Sequence, residues 1–145
     1  MQVAQSYHDH GHKEAADRVS LTYDQRFLRR KVIELASGAK LLVDLPQTTS
    51  LNHGGVLITD AATEVRVEAA PEELLEITGD LVRLAWHIGN RHMPCQIEAE
   101  RLLIQRDHVI EDMLGKLAAT TRPITAPFTP EGGAYGHGRT HSHAH

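Results

Sequence analysis

The chain changes its hydrophobic rhythm once, at Ala69-Ala70-Pro71, and that break limits what it can fold into. Before it, short apolar runs recur between turn residues. Val19-Ser20-Leu21-Thr22-Tyr23 alternates, and Val32-Ile33-Glu34-Leu35 runs into Ser37-Gly38. Residues 40–45 are expected to stop at Pro46, and Asn52-His53-Gly54-Gly55 marks a turn before residues 56–59 and 64–68. Short strands at this spacing predict a small β-sandwich or barrel over residues 18–70. After the break the period lengthens. Leu81, Leu84, Ala85 and Ile88 fall at i, i+3, i+4 and i+7 behind a capping Asp80, so a helix is expected to end near Gly89-Asn90. A second helix is expected from Asp107, with Ile110, Met113, Leu114 and Leu117 at the same spacing. Residues 95–106 leave room for two short strands, and residues 121–128 for a last one. Residues 72–78 read either as a helix start or as a strand; as a strand they complete β-α-β-β-α-β, a ferredoxin-like order. The expected class is therefore α+β: a small all-β domain at 18–70 and a ferredoxin-like domain at 71–129. A loose leader is expected at 1–17, and a flexible, disordered His-rich tail at 130–145.

Charge and cysteine content exclude several functions. A net charge of −4 argues against general nucleic-acid binding, which needs a basic surface. No apolar run approaches the ~20 residues of a membrane span, and residues 1–17 carry no apolar signal segment. The single cysteine, Cys95, forbids an intrachain disulfide and any Cys-x-x-Cys metal site. A cytoplasmic setting with no membrane partner is the expectation.

The chemistry points to metal. Four of eleven histidines lie in the last nine residues, which end in His141-Ser142-His143-Ala144-His145. Alternate residues of an extended chain project to the same side, roughly 6.5–7 Å apart, and imidazole is the commonest metal-binding side chain. The fifteen residues after Pro130 reach roughly 50 Å when extended. A second alternating cluster, His8-Asp9-His10-Gly11-His12, lies in the leader. In the body, Gly89-Asn90-Arg91-His92-Met93-Pro94-Cys95-Gln96 follows the first helix. Gly89 and Asn90 suit left-handed backbone, and Pro94 stiffens the exit, so this turn is expected to project His92 outward. Trp86 and Met113 read as core, His53 as exposed and idle, and Arg26 with Arg29-Arg30-Lys31 as a solvated basic face or a dock for an acidic partner.

The block Trp86-His87-Ile88-Gly89-Asn90-Arg91-His92-Met93-Pro94-Cys95-Gln96-Ile97 resembles the signature of the UreE family of urease accessory nickel metallochaperones. Its Gly-Asn-Arg-His-x-Pro-x-Gln core is present in full. Residues 106–114, the Gly132-Ala134-Tyr135 region and the His-rich end resemble the same family, over about residues 18–145. The resemblance implies a non-enzymatic chaperone that delivers Ni²⁺ for assembly of the urease metallocentre. His92 would be the nickel ligand at a homodimer two-fold axis, with secondary binding at His108 and in some relatives at His87. Implied partners are a second copy, the urease accessory GTPase and the urease maturation complex. A symmetric interface doubles the ligands that one imidazole provides. His108 would stand at the first turn of its helix, where the dipole disfavours the imidazolium and leaves the ring to a metal. Nitrogen ligands alone also accept Zn²⁺ or Cu²⁺. Two further readings compete. A metal buffer that delivers to no partner fits two His-rich ends. A metallohydrolase needs three protein ligands and a general base, and no His-Glu-x-x-His is present.

Overall fold

A strand needs backbone partners more than apolar side chains, and the N-terminus illustrates it. In the computed structural model, which describes residues 1–132, the first unit, Met1–Ala70, begins with β1 (Gln2–His8). It continues through β2 (Asp17–Leu21), β3 (Phe27–Glu34), β4 (Lys40–Ser50), β5 (Val56–Thr59) and β6 (Glu64–Ala69). The six strands form one sheet in the order β2-β6-β5-β1-β4-β3. β1 is interior, parallel to β4 on one side and antiparallel to β5 on the other. The expectation of a loose leader over residues 1–17 is thus corrected. Gln2, Gln5, Ser6 and His8 are exposed, so the segment reads as polar, while Ala4 is fully buried and both backbone edges are paired.

β4 corrects a second expectation, because it runs through Pro46 to Ser50. Opposite it, the register of β3 jumps from Leu28↔Thr49 to Arg30↔Asp44. Pro46 falls inside that bulge, where no ladder bond is asked of the N–H it lacks. The core of this unit is aliphatic, built from Val19, Ile33, Leu41, Val43, Leu57 and Val67 among others, with Tyr7 packed on its edge. Arg26 is buried, not a solvated cation as its neighbours suggested. Its Nε and Nη1 donate to the carbonyls of Leu51 (3.2 Å) and Leu21 (2.9 Å) and so tie the end of β2 to the residue after β4. Arg29, Arg30 and Lys31 are exposed. His53 is exposed but not idle: its Nδ1 accepts from the Ala69 amide at 3.0 Å.

The second unit starts at Pro71. Its elements are β7 (Pro71–Thr78), α1 (Leu81–Asn90), β8 (Gln96–Ile97), β9 (Leu102–Gln105), α2 (His108–Lys116) and β10 (Thr120–Pro127). Residues 72–78 are a strand. The sheet order is β10-β7-β9-β8, antiparallel throughout. Both helices begin where the sequence placed their caps. Asp80 accepts from the Arg83 amide at 3.3 Å and Asp107 from the Ile110 amide at 3.1 Å. Leu84, Ile88, Ile110 and Leu114 pack with Leu75, Ile77, Leu102 and Ile104 in the core of this unit. Trp86 does not. It is 65% exposed, which overturns its reading as core. Glu76 on β7 receives Arg101 at 2.9 Å and Arg122 at 3.1 Å. Those guanidinium bonds outweigh burial and hold its carboxyl below the usual carboxylate range. No helix among the described residues is long and apolar enough to cross a membrane.

Candidate metal centre

α1 ends in a double-bonded turn. The His92 amide donates to Gly89 O (2.9 Å) and the Met93 amide to Ile88 O (3.4 Å). This is the Schellman pattern, whose C′ residue takes the left-handed conformation and is usually glycine. Here that residue is His92, at φ 59°. The sequence pointed to Gly89 and Asn90 as the left-handed positions; both remain helical, and the bend falls on the histidine itself. A side chain at this φ costs on the order of 1 kcal/mol relative to glycine. Ala118 closes α2 in the same way at φ 60°, with bonds to Gly115 O and Leu114 O. The strained turn is therefore this unit's general way of ending a helix, and at α1 it fixes the direction in which an exposed imidazole leaves the fold.

Around His92 lies a shallow pocket of about 220 Å³, whose walls include Ala85, Gly89, Met93, Cys95, Ile97 and Glu131. Burial, with the Glu131 charge adding to it, pushes the Cys95 thiol up to about 11. In the metal-free fold Cys95 is a thiol near neutrality. The Gln of the Gly-Asn-Arg-His-x-Pro-x-Gln motif has a visible task. Gln96 Oε1 accepts from the Thr129 amide (2.8 Å), and Glu131 N donates to Cys95 O (2.9 Å). The chain beyond β10 is thereby fastened along the turn that carries His92, and Glu131 and Gly132 join its pocket wall. No pattern in the sequence marked this anchoring except the unexplained Gln of the motif.

Along α1, Val82 (85% exposed) and Trp86 (65%) stand at i and i+4, and Gly89 continues their line into the His92 pocket. Ile97, which also lines that pocket, is 52% exposed. This is an apolar surface beside an imidazole, not a closed site.

The other expected ligands are dispersed. His108 is the first residue of α2, exposed, in a separate pocket of about 290 Å³ with Glu73, Arg106, Asp107 and Glu111. That pocket shares no lining residue with the one around His92. His87 is half-buried, edge-on to the Trp86 ring at 5.0 Å. His141, His143 and His145 lie outside the described residues. Among the described residues, no three His, Cys, Asp or Glu side chains converge as a preformed metal cage.

Comparison with known proteins gives this arrangement a family. Residues 2–70 match the model of the UreE urease accessory protein N-terminal domain, and residues 65–145 that of its C-terminal domain. A urease accessory protein UreE of Ruegeria sp. (strain TM1040) is 64% identical over 141 residues, covering 96% of this chain and 80% of that one. That of Ruegeria pomeroyi is 62% identical over 93% of this chain and 92% of its own. The Cereibacter sphaeroides protein is 57% identical over 90% and 72%. With the two domain models together matching residues 2–145, the chain belongs to the UreE family of urease accessory proteins.

Proposed function

We propose that this protein is a nickel metallochaperone in urease maturation, handing Ni²⁺ on rather than catalysing a reaction. The observation that carries the reading is the His92 turn: an exposed imidazole, aimed by a strained helix end, beside the root of a His-rich segment. One ring grips a divalent ion weakly. The exposed Val82, Trp86 and Ile97 around it are the kind of apolar surface a second copy covers. Pairing of two α1 faces about a two-fold axis would bring two His92 rings to one ion. The absence of a convergent cage among the described residues fits cargo better than a resident cofactor, because open nitrogen coordination exchanges readily. His108 and the tail residues His141, His143 and His145 serve in this reading as further nickel ligands. The anchoring of Thr129 and Glu131 starts the tail next to His92. The strand order of the second unit supports a ferredoxin-like reading of this domain. Delivery runs to the urease accessory GTPase and the maturation complex.

His92→Gly is the informative variant, since glycine suits the left-handed turn and removes only the ring. Nickel calorimetry with mass measurement of the assembly should show a dimer that loses its shared ion in His92→Gly, while tail binding persists until the chain is cut after Gly136. Unchanged stoichiometry and affinity in His92→Gly, or a strictly monomeric protein with nickel present, overturns the proposal.

A further inference from the structure

The second histidine cluster, which the function above leaves unused, is held in place by the fold. His8 is the last residue of β1, and His12 lies four residues on. Between them the chain is pinned from two sides. The carboxylate of Glu64, at the start of β6 and only 3% exposed, accepts the amides of His12 (3.0 and 3.1 Å) and Lys13 (3.1 Å). On the other side Asn52 donates its own amide to Tyr7 Oη (2.8 Å) and its side-chain nitrogen to Asp9 Oδ1 (3.1 Å). Gly11 is wedged against the same carboxylate: a Cβ there would lie 3.0 Å from Glu64 Oε1 and 3.2 Å from Val56 Cγ1. The loop is therefore fixed at Tyr7, Asp9, Gly11, His12 and Lys13, and His8 and His12 project from it into solvent.

Their rings meet edge-on, 6.4 Å apart between centroids and inclined by 63°. Two imidazoles holding one ion at a metal–nitrogen distance of about 2.1 Å have centroids roughly 5–6 Å apart. Side-chain torsions of two exposed residues close that difference without moving the loop. Asp9 and Glu64 place two carboxylates in the loop's frame, both already accepting hydrogen bonds, and the Lys13 amine donates to the carbonyl of Ala62 (3.2 Å). Because the backbone is already fixed, binding orders only two side chains.

We propose that His8 and His12 form a second metal site in the first unit, taking one divalent first-row transition ion, with water completing its coordination. It is a two-nitrogen, open site, suited to loading and release, and it does not depend on dimerisation or on His92.

The test uses nickel alone as probe. In the chain carrying His92→Gly and His108→Ala and cut after Gly136, which removes every ligand assigned above, native mass spectrometry should still find one nickel per chain. Adding His8→Ala and His12→Ala should remove it. In the otherwise unaltered full chain, the same two substitutions should lower the bound nickel by one ion per chain and leave the His92-dependent ion in place. As a second measurement, substoichiometric Ni²⁺ should broaden the His8 and His12 ring resonances in the cut chain carrying His92→Gly and His108→Ala. No nickel bound to that chain, nickel retained after both alanine substitutions, or broadening confined to other histidines each overturns the site. None of these results depends on whether His92 pairs across a dimer, so this proposal and the preceding one fail separately.

Discussion

Gly55→Ala should destabilise the first unit because the space a methyl needs is already filled by Tyr7. A Cβ at Gly55 would lie 2.6 Å from Tyr7 Cε1 and Cζ, closer than carbon atoms approach, and closer still to the phenol oxygen. Gly55 is not among the residues at positive φ, so alanine meets no backbone objection and the whole effect is steric. Tyr7 must swing out. It is half-buried on the core edge, so eviction uncovers about 100 Å², half of what such a ring buries when fully covered. At ~25 cal/mol per Å² that loses about 2.5 kcal/mol. The Tyr7–Asn52 bond of 2.8 Å goes too, worth about 0.5–1 kcal/mol where water replaces it. Against this, alanine stiffens the unfolded chain by about 0.4–1 kcal/mol. The net is a destabilisation of roughly 2–3 kcal/mol, or about 10–20 °C in the Tm of a unit this small. Amide exchange at β1 and β5 under native conditions reads it directly, as faster opening by a factor on the order of 30–150. The decisive control is a cycle with Tyr7→Ala: once the ring is gone, Gly55→Ala should cost nothing or stabilise slightly. Unchanged β1 and β5 exchange in Gly55→Ala, or full additivity with Tyr7→Ala, refutes the reasoning.

Two further outcomes are expected. Ala118→Gly should stabilise the second unit by about 0.5–1 kcal/mol, because the α2 end at φ 60° is relieved by more than glycine's extra chain entropy costs; a fall in the urea midpoint would contradict it. Glu76, held below the usual carboxylate range by Arg101 and Arg122 against burial, contributes stability that is full above that range. This contribution is lost as pH falls through the carboxylate range into the depressed one. Glu76→Gln should therefore be less stable near neutrality, and its acid limb flatter, in exchange of the β7 and β10 amides. Identical pH profiles would sink the assignment.

The second unit was largely legible because its signals are periodic and local. Leu81, Leu84, Ala85 and Ile88 mark one helix face, and Asp80 and Asp107 announce helix starts by a side-chain chemistry that needs no tertiary partner. Trp86 was misread by residue type although position spoke clearly: with Val82 and Gly89 it lies off the apolar stripe. The first unit hid more. β1 is a strand because β4 and β5 supply partners from some forty and fifty residues away, and no local pattern in Gln2–His8 reports them. Pro46 reads as a stop, and only the missing residues of β3 opposite it permit the strand to continue. Arg26 looked like one of four surface cations; one carbonyl acceptor, Leu21, is near in sequence, but the other, Leu51, lies 25 residues away and no local pattern marks it as a neighbour.

The same division runs through the candidate site, and it separates what chemistry a motif advertises from how the fold uses it. His92 stands out as a candidate from its flanking residues, yet the left-handed turn that carries it does not, since left-handed backbone is normally assigned to glycine and asparagine when these are present. Gly89 and Asn90 instead complete the last turn of α1, and their carbonyl and amide positions leave His92 as the residue that must bend. A histidine stands where glycine would be easier, and Ala118 shows that such strain alone does not establish a function. The added weight comes from exposure, from the apolar residues beside it, and from Gln96 fastening the outgoing chain along the same turn. Each is a contact or a lack of cover that only the folded chain displays, and together they are what the proposal of a nickel-handling surface rests on.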